Sequence, residues 1–207
     1  MTSVAKAVGV LISGRGSNLQ ALIDAERAGS LGGRIVLVVS NVESAAGLAR
    51  ARAAGIPAVF RDHRGRARDE FDAELLGLLR EHRVDLVCLA GYMRLLSPSF
   101  IRAYAGRILN VHPSLLPAFP GLEAQRQAVE HGVKVSGATV HFVDDGLDSG
   151  PIVLQEAVPV ADTDSADTLA DRILEAEHRI YPQAVRLVLD GRYRIEGRRV
   201  VLQEASA

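Results

Sequence analysis

The sequence predicts an α/β fold: a doubly wound, mostly parallel sheet with an antiparallel C-terminal extension. Three observations predict it. Short aliphatic runs alternate with helix-spaced segments through the first half of the chain. That alternation stops at Asn110, where Pro113, Pro117 and Pro120 crowd one irregular stretch. Beyond it, two strand-like segments flank an Asp/Gly-rich turn, the pattern of an antiparallel pair.

Each element follows from its residues. Strands are expected at Ala7–Ile12, Arg34–Val39, Ala58–Arg61, Val84–Ala90 and Arg107–Asn110, runs apolar enough for a sheet covered on both faces. Helices are expected at Asn18–Ala28, Ala45–Ala54, Arg66–His82 and Ser97–Ala103. In the third, Phe71, Leu75, Leu78 and Leu79 share one face. Gly55-Ile56-Pro57 closes the second helix and opens the next strand. After the proline stretch come a helix Leu122–His131, a strand Lys134–Val143, a turn Asp144–Gly150 and a strand Ile152–Val158. A long helix, Ser165–Leu189, is capped by Ser165 or Asp164 and carries Pro182, a possible kink. Arg192–Leu202 reads as a small hairpin. With no linker or internal repeat, residues 1–207 are expected to form one domain.

Composition excludes several classes. An apolar share of 48% is ample for a core, and 24 basic against 25 acidic residues leave no electrostatic footprint for nucleic acid or an anionic membrane. One cysteine forms no internal disulfide, and no signal peptide or membrane-spanning run is evident, so a cytoplasmic protein is expected.

Ser13-Gly14-Arg15-Gly16-Ser17-Asn18 lies between a strand and a helix, where backbone N–H groups can cradle phosphate. The dinucleotide fingerprint fails, because Leu19 takes the third glycine position and the second strand ends in Ser40-Asn41 without a carboxylate. No Gly-Lys-Ser/Thr follows either, so the Walker pattern fails as well. Two readings stand: a site for a terminal phosphomonoester, or a tight turn with Ser17 as N-cap.

Asn110 and His112 are expected just after the last parallel strand, at the edge where such sheets bind ligands. An Asn amide is a neutral donor to an oxyanion, and a histidine moves protons near neutral pH. The alternative is a satisfied loop histidine. Asp144-Asp145-Gly146-Leu147-Asp148-Ser149-Gly150 reads as an ordinary turn, as a poor calcium loop, or as the source of a carboxylate partner for His112. Glu177 interrupts the apolar stripe of Leu169, Ile173, Ile180 and Ala184, which requires a partner or a cleft. His63, His82, His131 and His178 read as surface residues, His141 as structural, and Cys88 as core.

Asn110-Val-His112-Pro-Ser-Leu-Leu-Pro117, Gly137 to Pro151 and Leu11 to Gln20 together resemble the folate-dependent formyltransferase family. The resemblance spans nearly the whole chain, with three separated motifs in the family's order. It implies transfer of a formyl group from 10-formyltetrahydrofolate to a phosphoribosylglycinamide amine, a one-carbon step of purine synthesis. It implies Asn110, His112 and Asp148 as catalytic residues: the first two hold the tetrahedral oxyanion, and Asp148 keeps His112 protonated. Gly16, Ser17 and Asn18 match the family's phosphate loop, and Glu177 a residue that binds ribose hydroxyls. Arg68, Met93, Arg94, Leu95, Leu96, Asn110 and Asp144 match folate-binding positions. Arg15 stands at a position expected to vary, which leaves its contact with phosphate open. No metal is implied. The expected partners are small-molecule substrates, not nucleic acid or membrane, and the protein is expected as a monomer or homodimer. Related transferases acting on tRNA normally add a C-terminal domain, and the related hydrolase an N-terminal one. A first strand starting by residue 7 and an end at Ala207 therefore favour the small-molecule transferase.

Overall fold

The computed structural model describes residues 5–203. It is an α/β structure, mostly parallel in its sheet with an antiparallel C-terminal part. The chain divides into two compact units, one up to Leu109 and one from Asn110 onward.

The first unit contains β1 (Lys6–Ile12), α1 (Ser17–Arg27), β2 (Gly33–Ser40), α2 (Ala46–Ala53), β3 (Ala58–Phe60), α3 (Arg68–Glu81), β4 (Leu86–Leu89) and α4 (Pro98–Ala103). Its strands lie in the order β3-β2-β1-β4, all parallel. Val8, Val10, Leu11 and Ile12 of β1 are fully buried, as are Leu19 and Leu22 of α1 and Phe71 and Leu79 of α3. Each such side chain contributes roughly 1.5–3 kcal/mol by leaving water. Cys88 is buried in β4, as its apolar run predicts. The inward face of α3 differs in detail from the expected one. Leu78 is half-buried, while Asp72 and Leu76 turn inward.

β5 (Ile108–His112) carries the chain from the first unit into the second. It runs two residues past the expected end at Asn110, so Asn110 and His112 sit within the strand's last turn of pleat rather than after it. The second unit then holds α5 (Ala124–Glu130), β6 (Val135–Phe142), β7 (Ile152–Pro159), α6 (Ala166–Asp190), β8 (Tyr193–Glu196) and β9 (Arg199–Leu202). β6 and β7 pair antiparallel, as do β8 and β9, and β9 runs parallel to β7. α5 starts two residues later than expected, leaving Leu122 78% exposed. α6 is capped by Ser165, whose hydroxyl accepts from Thr168 N while Thr168 bonds back, and it continues through Pro182. Its stripe Leu169, Ile173, Ala176, Tyr181, Ala184 and Val185 is buried. Among the described residues no helix is long and apolar enough to cross a membrane.

The proline stretch is pinned from β6 and β7. Thr139 Oγ1 donates to Ser114 O at 2.6 Å and accepts from Leu116 N at 3.1 Å. Gln155 Nε2 donates to Leu116 O at 2.9 Å, and the Leu116–Pro117 peptide is cis. These bonds set the ground from which the end of β5 presents its side chains.

Candidate active site

Four side chains of the second unit converge: Asn110 and His112 from β5, His141 from β6, and Asp148 from the loop after it. Residues 110 and 112 alternate along a strand, so both face the same side. Asp148 reaches them by adopting φ of 47°, a left-handed conformation unusual outside glycine. Gly150 closes that loop against β6. A Cβ there would lie 1.9 Å from the Phe142 carbonyl oxygen, so no other residue fits.

His112 is 5% exposed, and both its ring nitrogens face acceptors. Nδ1 lies 3.3 Å from Asp148 Oδ2, and Nε2 lies 2.9 Å from the Phe119 carbonyl oxygen. A ring protonated on both nitrogens satisfies both partners. Asp148 Oδ2 also accepts from Gly121 N at 2.8 Å, which fixes the carboxylate beside the imidazole.

His141 is held neutral. Its Nδ1 lies 2.8 Å from the Phe142 carbonyl oxygen and therefore carries a proton. Burial pushes its pKa below the usual 6.5, against the pull of the Phe142 carbonyl and of Asp148. The neutral ring leaves Nε2 bare, and Asn110 Nδ2 donates to it at 3.2 Å. Asp148 Oδ1 is 3.6 Å from the same nitrogen, beyond hydrogen-bond reach. His141 thus orients the Asn110 amide and leaves its second N–H available. Alternation along β6 suggested only a structural histidine. The signal for more was its place in the Gly137–Pro151 motif.

Asp144 is set apart from that cluster by its bonds. Its Oδ1 accepts from Gly146 N at 3.1 Å and Ser149 Oγ at 2.7 Å, so it shapes the loop that carries Asp148. Glu177 lies buried on α6. His178, expected at the surface, is half-buried, and burial lowers its pKa.

The first unit carries two of the loops named from the sequence. Gly16, not Ser17, is the N-cap residue of α1. It has φ of 71°, and the helix has no side-chain cap bond. Only glycine fits there, since a Cβ would lie 2.6 Å from Gly47 Cα. The N-terminal turn of α1 thus begins on bare backbone, with Ser17 half-buried and Asn18 buried. Arg50 braces the loop from outside, its Nε donating to Arg15 O at 3.0 Å.

The second loop follows β4. Met93 and Leu95 are 70% and 60% exposed, whereas Leu96 is buried. Between them Arg94 is half-buried, its guanidinium 5.0 Å from the centre of the Phe71 ring. Arg68 is exposed at the start of α3. His63, expected at the surface, is half-buried with its ring against Phe71 and Nδ1 3.3 Å from Asn41 Nδ2.

A profile of the formyl transferase family matches residues 6–185. Phosphoribosylglycinamide formyltransferase of Escherichia coli is 48% identical over 187 residues, 90% of this chain and 88% of that protein. Trifunctional purine biosynthetic protein adenosine-3 of Drosophila melanogaster is 52% identical over 189 residues, and there the match covers only 14% of the relative's length. Among solved structures, glycinamide ribonucleotide transformylase 1 from Symbiobacterium toebii matches with a TM-score of 0.95 at 55% identity, over 99% of this chain and 96% of that one. A formyltetrahydrofolate deformylase from Pseudomonas syringae matches with a TM-score of 0.92 at 29% identity, over 98% of this chain and 67% of that one.

Proposed function

This chain belongs to the formyl transferase family, and from that premise we propose that it transfers the formyl group of 10-formyltetrahydrofolate to the amine of 5′-phosphoribosylglycinamide. The products are the N-formyl ribonucleotide and tetrahydrofolate, in de novo purine synthesis. Residues 1–207 act as one formyltransferase domain, in the cytoplasm, as a monomer or homodimer whose partners are these small molecules.

The carrying observation is the meeting of Asn110, His112 and Asp148, with His141 behind Asn110. The substrate amine attacks the formyl carbon, forming a C–N bond and a tetrahedral oxyanion. Asn110's second N–H donates to that oxyanion, with no reorientation needed because His141 already holds the amide. His112 donates to it through Nε2, which exchanges the Phe119 carbonyl oxygen for the oxyanion. The C–N bond to the folate then breaks as His112 gives its proton to the departing nitrogen, and His112 recovers a proton from the amine that has attacked. Asp148 holds the imidazole in place for both steps. The amine is nucleophilic as it stands, so no step is routed through a metal, and alignment of two substrates supplies much of the rate.

Binding roles follow the chemistry of the remaining residues. Gly16, Ser17 and Asn18 offer donors at the start of α1 to the substrate phosphate. Glu177 accepts from the ribose hydroxyls. Met93 and Leu95 present apolar side chains to the pterin, Arg94 and Leu96 contribute backbone groups, and Asn110 contributes to folate binding. Arg68 pairs with the carboxylates of the folate tail, and Asp144 shapes the folate loop.

The test is tetrahydrofolate release measured with the formyl donor alone and with both substrates. A transferase releases it only when the ribonucleotide amine is present. Release from the donor alone, with formate, would make the chain a deformylase; binding without release would make it a nucleotide-binding module.

A further inference from the structure

Ser13 opens the loop between β1 and α1, and position alone would give it to the substrate phosphate. Its bonds point elsewhere. A serine hydroxyl has one proton to donate, and Ser13 Oγ donates it to Asn41 Oδ1 at 2.6 Å. The same oxygen accepts from Met93 N at 2.8 Å, across 80 positions of sequence. Ser13 N donates to Gly91 O at 3.1 Å. Nothing of this side chain is left to donate to a phosphate.

At its far end the segment 91–97 is held by Asp72. This carboxylate is 1% exposed, and its Oδ2 accepts from Ser97 N at 2.6 Å. Between the two anchors, Arg94 packs over Phe71 while Met93 and Leu95 stand outward. The alternation of inward and outward residues is thus set by polar anchors at both ends, and a loop held this way meets a ligand with little ordering entropy still to lose.

We propose that Ser13 is a positioning residue for the formyl donor, acting through Met93, although it lies in the segment offered to the other substrate. Asn41 is its support, which gives the end of β2 a role that a missing carboxylate left open. The proposal rests on the reading that residues 93–96 receive the folate.

The test is steady-state kinetics of the full chain and its Ser13→Ala and Ser13→Thr variants, varying each substrate in turn. Losing the hydroxyl leaves the Met93 N–H without its acceptor, so Ser13→Ala raises KM for 10-formyltetrahydrofolate by about fivefold to thirtyfold. Its kcat and its KM for the ribonucleotide stay within about twofold of the parent. Ser13→Thr, which keeps the hydroxyl, restores the folate KM. Should Ser13→Ala fail to fold, Asn41→Leu removes the supporting acceptor, and the same split is expected. An unchanged folate KM, a rise confined to the ribonucleotide KM, or an equal rise in both overturns the proposal. A parent chain that makes no tetrahydrofolate from the two substrates overturns the formyl-transfer reading first, and the proposal with it.

Discussion

The Asn110, His112 and Asp148 cluster of the second unit and the paired loops of the first use polar side chains in opposite ways. In the proposed reaction the side chains of Asn110, His112 and Asp148 are the working parts. Backbone groups serve them: Gly121 N–H holds Asp148, and the Phe142 carbonyl sets the tautomer of His141. In the first unit the side chains serve the backbone. Ser13 and Asp72 brace 91–97, Arg50 braces Arg15, and the apolar Met93 and Leu95 are left outward. Substitutions in the cluster should therefore strike the chemical step, while substitutions of the braces strike binding or stability.

The largest effect is expected at Asn110. Asn110→Ala removes one oxyanion donor and lowers kcat by roughly 10²–10³ with little change in either KM, checked by steady-state kinetics. Asp148→Asn keeps the shape but loses the charge beside His112, and kcat falls by about 10². If either variant instead raised KM at constant kcat, the contrast between the two regions would break.

The contrast also explains what could be read from the sequence. The pair Asn110 and His112 is two residues apart on one strand, so strand alternation alone aligns them. Helices such as α6 announce themselves by periodicity and a capping serine. Asp148's place beside His112 depends on a left-handed backbone and on Gly150, and residue pattern alone left a partner for His112 as one of three readings of the Asp144–Gly150 segment. His141 was hidden because a buried neutral histidine on a strand looks the same whether or not it orients a neighbour. The braces were hidden for another reason. Ser13 and Met93 are 80 positions apart, Asp72 and Ser97 are 25 apart, and no local pattern links either pair. Sequence separation likewise hid the approach of Gly16 to Gly47, and Gly16 caps α1 where one of the two readings had Ser17.

Smaller effects sharpen the comparison further. Asp72→Ala leaves the buried Ser97 N–H unpaired and costs about 1–3 kcal/mol of stability, measured by urea unfolding. The smallest effect concerns pH. His141 has a folded pKa below its unfolded value of 6.5. The unfolded chain therefore binds the proton more readily, and stability falls as pH drops below about 6.5. His178 is shifted in the same direction by burial and adds to that loss. Thermal unfolding between pH 7 and pH 5.5, values set by the ordinary histidine range, should show a shallower fall for His141→Asn than for the parent, with the part due to His178 remaining.

The proposed reaction moves a formyl group between two molecules at the cluster around Asn110. The direct measurement follows a carbon-13 label in the formyl group of the donor by NMR, with the parent chain and with Asn110→Ala. The account predicts label in the N-formyl ribonucleotide and none in formate for the parent, with transfer by Asn110→Ala slowed by roughly 10²–10³. Label accumulating as formate, or transfer at the parent rate in Asn110→Ala, would contradict it.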